Sequence, residues 1–411
     1  MLVLSVSIIP FVSNTIPMHI LLIPSWYSTA PNAVRGSFFR DQARALQKAG
    51  HQVGLLVPPT KVRSLHGVRE IIQYWRVPNS HVEITSDESG LVTYRMFWWG
   101  WLATLLPSKR GDLALRVFDQ YVQQQGIPDV VHGHSVLYGG YLAAYIGTQR
   151  HVPAVLTEHS TNFLDGQIQP GQGRYVRYTL EHSSRVFAVA EALAQALREY
   201  STSIPIAVLH NLVDVDFFTA ATIAEPSADF TFVSVGNLIP RKGFATLLAA
   251  FAAVFRGMPV RLIIGGGGKL RGKLEKRAAD LGVAHQVDFR GALTRQQVRD
   301  VIRQSHVLVS ASQFETFGIT LIEALACGKP VVATRSGGPE YFVNDDIGIL
   351  VEKDNPESLA AGMKLMFENY STYDSQIIRE YCVSHFSETA VVSRLEAAYR
   401  ELAADTHQVE R

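Results

Sequence analysis

The stretch Ser310–Phe342, SASQFETFGITLIEALACGKPVVATRSGGPEYF, sets the reading of the whole chain. It holds two glutamates, Glu315 and Glu323, with seven residues between them. Phe317-Gly318 opens an apolar helical run that stops at Cys327-Gly328-Lys329, where glycine followed by Pro330 is an ordinary helix end. That spacing puts Glu315 in the loop before the helix and Glu323 inside it. A helix start presents unpaired N–H groups and the positive end of the helix dipole, so Gly318 and Ile319 offer backbone donors to a phosphate. Carboxylates only accept hydrogen bonds, which suits the flanking glutamates to neutral hydroxyls.

Size and composition bound what surrounds this stretch. With 411 residues, 47% of them hydrophobic, the chain is long enough for two domains with separate cores and too apolar to be disordered. Its two cysteines, Cys327 and Cys382, make neither a disulfide framework nor a metal-ligand spacing, and this points to a reducing, cytoplasmic setting. Formal charge is about +4 over residues 1–210 and about −3 over 211–411, too mild to argue for nucleic acid. The leading MLVLSVSIIPFV lacks a basic flank and a cleavage site and is too short to span a bilayer; Met18, directly before a strand pattern, competes with Met1 as the start.

Working outward, His19–Pro24 reads as a strand, Ser37–Ala49 as a helix and Gln52–Val57 as a strand, a βαβ unit that implies a parallel sheet. Gly36 ends the intervening loop, where backbone can approach a ligand, although a plain connector fits too. Residues 60–115 are less regular. Within them YRMFWWGWLATLLPSKR (94–110) sets tryptophans beside Arg95, Lys109 and Arg110, which suits a membrane–water interface or a buried aromatic subsite. Regularity returns with strand Asp129–His134, helix Tyr138–Thr148 and strand Ala154–Glu158. His132, His134 and His159 then lie at strand carboxyl ends, where doubly wound sheets bind ligands. No further metal-ligand pattern accompanies them, so no metal site is expected.

The connector HNLVDVDFF (210–218), followed by Glu225-Pro226, marks a domain boundary; its Asp214-Val215-Asp216 spells DxD, a diphosphate–metal pattern that a connector does not support. A second alternation of strands and helices begins at Phe230. Thr294 with Gln297 fits a capping box, and Asn355-Pro356 fits a helix cap followed by proline. Gly236–Gly243 (GNLIPRKG) displays Arg241 and Lys242 between a strand and a helix, and both cations suit a diphosphate. Gly265–Gly268 fails the G-x-G-x-x-G register, and no P-loop is present, which argues against a dehydrogenase or an NTPase.

Taken together, ETFGITLIEALACGKPVVAT with GGPE, GNLIPRKG, VLTEHS, DVVHGHS and HNLVDVDFF closely resemble glycosyltransferase family 4 along nearly the whole chain. The resemblance implies a GT-B fold: two Rossmann-like, doubly wound parallel-sheet α/β domains facing across a cleft. They would comprise an acceptor-side domain (18–209), a nucleotide-sugar domain (210–385) and a closing helix (386–405) that returns to the first. It implies Glu323 on the ribose, Glu315 on the donor sugar, Phe317, Gly318 and Ile319 on sugar and phosphates, and Lys242 on the departing diphosphate. His159 would stand beside the sugar, Gly36 near the diphosphate, and Arg290-Gly291 at the base. Asn237 departs from the family's usual arginine, and Arg241, four residues on, is a candidate substitute whose reach the sequence leaves open.

The implied reaction is retaining transfer from a UDP- or GDP-sugar co-substrate to a glycan or glycolipid acceptor, with no metal or other cofactor. The protein would be cytoplasmic, with peripheral membrane contact through 94–110 and no nucleic-acid partner. A nucleotide-sugar epimerase or hydrolase on the same fold, or a silent binding subunit, is the alternative.

Overall fold

In the computed structural model, residues 16–27, 36–58, 62–63, 81–99, 107–220 and 229–409 are described. The first sheet holds β1 (His19–Pro24), β2 (Gln52–Val57), β3 (Val62–Arg63), β4 (His81–Ser86), β5 (Val92–Trp99), β6 (Val130–His134), β7 (Ala154–Glu158), β8 (Arg185–Ala188) and β9 (Ile206–Val208). They lie in the order β3-β5-β2-β1-β6-β7-β8-β9, with β4 pairing on β5. Among the described residues, only the β4–β5 pair is antiparallel. Strands buried on both faces read as continuous apolar runs, as in Ile20–Ile23 of β1, because helices cover the sheet on each side.

The second sheet is wholly parallel: β10 (Phe230–Val235), β11 (Val260–Gly265), β12 (Val287–Gly291), β13 (Val307–Ser310), β14 (Val331–Thr334) and β15 (Gly348–Val351), ordered β12-β11-β10-β13-β14-β15. That is the doubly wound order 3-2-1-4-5-6, with its switch point between β10 and β13. The first sheet has its own switch point between β1 and β6, both strands pairing in parallel with their neighbours. Ligand crevices belong outside the carboxyl ends of strands at such points.

The expected capping box on Arg295–Gln304 is present, Gln297 N–H donating to Thr294 Oγ1 and Thr294 N–H to Gln297 Oε1. Asn355 likewise caps the helix Pro356–Glu368. Residues 60–115 are more regular than the sequence suggests: β4 and β5 form a hairpin, and a helix spans Pro107–Gln125. Of the aromatic–basic segment, Tyr94 and Met96 are buried, and 100–106 fall outside the described residues. The helix expected at Tyr138–Thr148 begins later, at Tyr141, after a turn at Val136–Gly140 in which Tyr138, like Ser135 just before it, has positive φ.

Two chain crossings join the halves side by side. Val213 in the connector donates its N–H to Phe386 O at 2.8 Å, and Arg379 ties the connector down by donating to Val215 O and Phe218 O. The closing helix Glu388–Val409 then returns to the first sheet. Val391, Leu395 and Tyr399 share one apolar cluster with Ile20, Leu22 and Leu46. Both cysteines are buried and unpaired. Among the described residues, no helix is long and apolar enough to cross a membrane.

Candidate active site

The first wall grows from the carboxyl ends of β1, β6 and β7. Here His134 Nδ1 and His159 Nε2 share a hydrogen bond at 3.1 Å, and His132 stacks on His134 at 4.3 Å. His132 also bonds Tyr399 Oη of the closing helix at 2.6 Å and Thr157 Oγ1 at 2.8 Å, so it joins helix to sheet. Burial keeps all three rings neutral: His132 and His159 fall to about 3, the latter against a smaller opposing pull from Asn211, and His134 falls far below its ordinary value. His159 is therefore an uncharged hydrogen-bonding group at neutral pH. Phe38 and Phe39 of the helix Ser37–Lys48 flank it at 4.9 and 5.5 Å, and Gly36 begins that helix.

Glu158, fully buried, holds this wall in shape. It accepts the N–H groups of Val136, His159 and Ser160, fastening the turn after β6 to the end of β7. Desolvation raises its pKa, and those three N–H bonds work against the rise.

The second wall grows from the carboxyl ends of β10 and β13. The loop after β10 folds as a short 3-10 turn, Pro240–Lys242, which brings the Lys242 ammonium onto the Glu315 carboxylate in a salt bridge. Glu315 is itself fixed by its N–H donating to Ser336 O at 2.9 Å. Gly318, at φ 101°, reverses the chain into the helix Ile319–Ala326, a left-handed conformation that L side chains resist. The Phe317 ring packs among His210, Phe342 and Phe386, so only its backbone faces the helix start.

Glu323 sits one turn into that helix, partly buried. Burial pushes its carboxyl up to about 8, Arg295 opposing and Asp41 reinforcing the rise. Arg290 lies apart from this group at the sheet edge, half-exposed and paired with Asp288 at 2.5 Å. Gly291, beside it, accepts a hydrogen bond from Gly266 N–H.

The walls touch through three polar contacts. Thr316 Oγ1 donates to His159 O at 3.0 Å. Arg241 Nη1 donates to Thr161 Oγ1 at 2.7 Å, with Asp165 at 3.9 Å, so this side chain reaches across the cleft rather than lying along its own loop. Arg295 pairs with Asp41 at 2.8 Å, and Asp214 lies 3.8 Å away. His159, Lys242, Glu315 and the Gly318–Ile319 helix start are thereby gathered at facing strand ends, while Arg290 stands at the margin.

Sequence reasoning did not single out Thr316, Glu158, Asp41 or Arg295. Glu158 stands inside the VLTEHS motif, and Thr316 follows Glu315 directly, so both had a local signal. The Asp41–Arg295 pair spans 254 positions and had none. The DxD carboxylates Asp214 and Asp216 converge with Glu388 within 4.8 Å, but Lys48 pairs with Glu388 and Arg295 lies beside Asp214, which gives the cluster a structural account.

Comparison with known proteins bears on the family and the fold. The family model Glycosyltransferase Family 4 matches residues 36–217, and Glycosyl transferases group 1 matches 218–381. The D-inositol 3-phosphate glycosyltransferase 1 of Catenulispora acidiphila is 28% identical over 66% of this chain and 72% of its own length. A lipopolysaccharide core biosynthesis glycosyltransferase of Rhizobium meliloti is 33% identical over 45% of this chain and 52% of its own. Sucrose-phosphate synthase from Thermosynechococcus elongatus superposes with a TM-score of 0.74 at 19% identity, covering 94% of this chain and all of that one. Anabaena HepE in complex with UDP and glucose superposes with a TM-score of 0.69 at 16% identity, over 93% of this chain and all of its own. At such identities the structural likenesses establish the fold, and the two matched models meet at the connector where the two sheets divide. Residues 36–381 are thus two glycosyltransferase domains in tandem, the first of Family 4 and the second of group 1, and the chain has the GT-B architecture.

Proposed function

We propose that the protein transfers a sugar, with retention, from a UDP- or GDP-sugar to a hydroxyl of a glycan or glycolipid acceptor. The observation that carries this reading is the meeting of the Lys242–Glu315 pair with the uncharged His159 at facing strand ends. The acceptor hydroxyl attacks the anomeric carbon from the face the diphosphate leaves. The carbon–oxygen bond to the diphosphate breaks with its electron pair, and the hydroxyl proton passes to the departing oxygen. Lys242 neutralises the charge that develops there, together with the N–H groups at Gly318 and Ile319. Glu315 positions the ammonium and accepts from donor-sugar hydroxyls, and His159 hydrogen-bonds the same sugar.

Glu323 holds the ribose, Gly36 lies by the diphosphate, and Arg290-Gly291 lies by the base. Arg241 closes the cleft onto Thr161, which excludes water that would hydrolyse the donor. No resident metal or other cofactor enters this scheme. Support for the donor class comes from HepE, solved with UDP and glucose, and for a surface-glycan acceptor from the lipopolysaccharide core relative. A glycolipid acceptor brings the enzyme to the cytoplasmic membrane surface through the 94–110 segment, by residues other than the buried Tyr94 and Met96.

The test is incubation of purified protein with a panel of UDP- and GDP-sugars and candidate acceptors. Acceptor-dependent release of nucleoside diphosphate, with an unchanged anomeric configuration in the product, is the expected result. Isomerised sugar without transfer would make it an epimerase, and free sugar without an acceptor a hydrolase. Binding without turnover would make it a silent subunit. Full activity in both Lys242→Ala and His159→Ala would overturn the assigned roles.

A further inference from the structure

The turn Val136–Gly140, at the carboxyl end of β6, is held in a conformation that its sequence resists. Tyr138 has φ 78° and ψ −83°, the rare and strained form of a γ-turn, and Ser135 has φ 64°. The fold enforces it from below. Ser25 Oγ, at the end of β1, lies within hydrogen-bond distance of His134 O, Ser135 O and Leu137 O, and accepts Gly139 N–H at 2.8 Å. From the side, Glu158 accepts Val136 N–H while also holding the backbone of His159. This carboxylate joins the turn directly to the candidate active site.

What the strained turn displays is one aromatic ring. Tyr138 is 50% exposed at the mouth of the first sheet, and the Arg110 guanidinium lies 5.1 Å from its ring centroid. A second ring–guanidinium pair, Arg174 over Tyr175 at 4.8 Å, continues the ledge, with Tyr175 meeting Tyr141 at 5.4 Å. Asp112 lies on the same side and accepts from Tyr145. A flat ring suits the apolar face of a sugar, and a guanidinium beside it suits a phosphate.

Resting on the glycosyltransferase reading above, we propose that Tyr138 and Arg110 form the acceptor subsite, and that the acceptor is a glycosyl phosphate. The ring stacks on the acceptor sugar while Arg110 holds its phosphate. The strain at Tyr138 fixes the ring on the turn that Glu158 ties to the backbone of His159.

The test uses the full-length protein with saturating UDP or GDP and calorimetric titration of the 1-phosphates and methyl glycosides of glucose, galactose, mannose and N-acetylglucosamine. At least one hexose 1-phosphate is expected to bind tenfold or more tightly than its methyl glycoside. Tyr138→Gly and Arg110→Met each weaken that binding at least tenfold, and Tyr138→Phe restores it. Tyr138→Gly relieves the positive φ, so its melting temperature is no lower than that of the wild type; a purely structural tyrosine would lower stability instead. A decyl diphosphate ester of the same hexose binding tenfold more tightly again identifies a lipid-linked source, and equal binding a soluble one. Absence of any preference for the 1-phosphates, or unchanged binding in both variants, overturns the proposal. Failure of wild-type protein to bind any UDP- or GDP-sugar in parallel titrations would instead overturn the donor reading.

Discussion

Replacing Glu323 by glutamine should make the protein more stable in alkali while weakening its hold on a donor. Folding carries this carboxyl from 4.5 to about 8, chiefly by burial. Below pH 4.5 the group is protonated in both the folded and the unfolded chain and costs nothing. Between 4.5 and 8 the unfolded chain sheds the proton and the folded chain keeps it, so wild-type stability falls as pH rises, and the loss is complete above 8. The full displacement corresponds to about 5 kcal/mol. Because Glu323 is only partly shielded by direct accessibility, and the effective protein dielectric is nearer 20 than 4, we scale this to ~1–3 kcal/mol. Glutamine cannot ionise and escapes the loss. Urea denaturation followed by tryptophan fluorescence at pH 5 and pH 8.5 should show the stability of Glu323→Gln relative to wild type rising by that amount between the two. An equal difference at both pH values would refute the reasoning. At pH 8.5 the variant should also bind the nucleotide sugar more weakly, since the amide replaces an acceptor of two ribose hydroxyls with a mixed donor and acceptor.

Lys242→Met should lower kcat by roughly 10²–10³-fold with a smaller change in donor KM, because the charge it offsets develops on the diphosphate as the bond breaks; an equal rise in KM with unchanged kcat would assign it to ground-state binding. Arg295→Met leaves Asp41 buried without its ion-pair partner and should destabilise by about 2–4 kcal/mol. Adding Asp41→Asn should cost less than the sum of the single changes in a double-mutant cycle of urea midpoints. Gly243→Ala would place a methyl 1.8 Å from Ala311 O at a φ of 66°, and should lower the melting temperature and, by displacing Lys242, the turnover rate together.

The parallel sheets and their strand ends were legible because each strand is a short apolar run closed by a polar or glycine-containing loop, as at HILLIP-SW, VLTE-HS and TFVSV-GN. Capping chemistry was legible because it is local, confined to Thr294–Gln297 and Asn355–Ser358. The β4–β5 hairpin was not. Its inner strand is nearly continuous in apolar and aromatic residues, which hides the alternation, and its outer strand is largely exposed. Nor was the turn at Tyr138, where VLYGGYLAAYIG reads as a helix from its tyrosine onward. What breaks that helix is Ser25, more than a hundred residues earlier. Lys242 and Glu315 were readable as residues but not as a pair, since their meeting depends on how two loops close over the switch point of the second sheet.

The closing helix carries a consequence for synthesis. His132 finds its hydrogen-bond partner in Tyr399, 267 residues later, and His51 finds Glu396, 345 residues later. A ribosome adding about 5–20 residues per second completes the last strand of the first sheet, at Val208, roughly 10–40 s before Tyr399 is made. During that interval the apolar patch that Ile20, Leu22, Leu46 and Val53 share with Val391, Leu395 and Tyr399 lacks the closing helix. The nascent first domain then carries an uncovered apolar patch, and the second domain must emerge and fold beside it before the cover arrives. Growing chains, more than finished ones, are where this protein needs protection from aggregation.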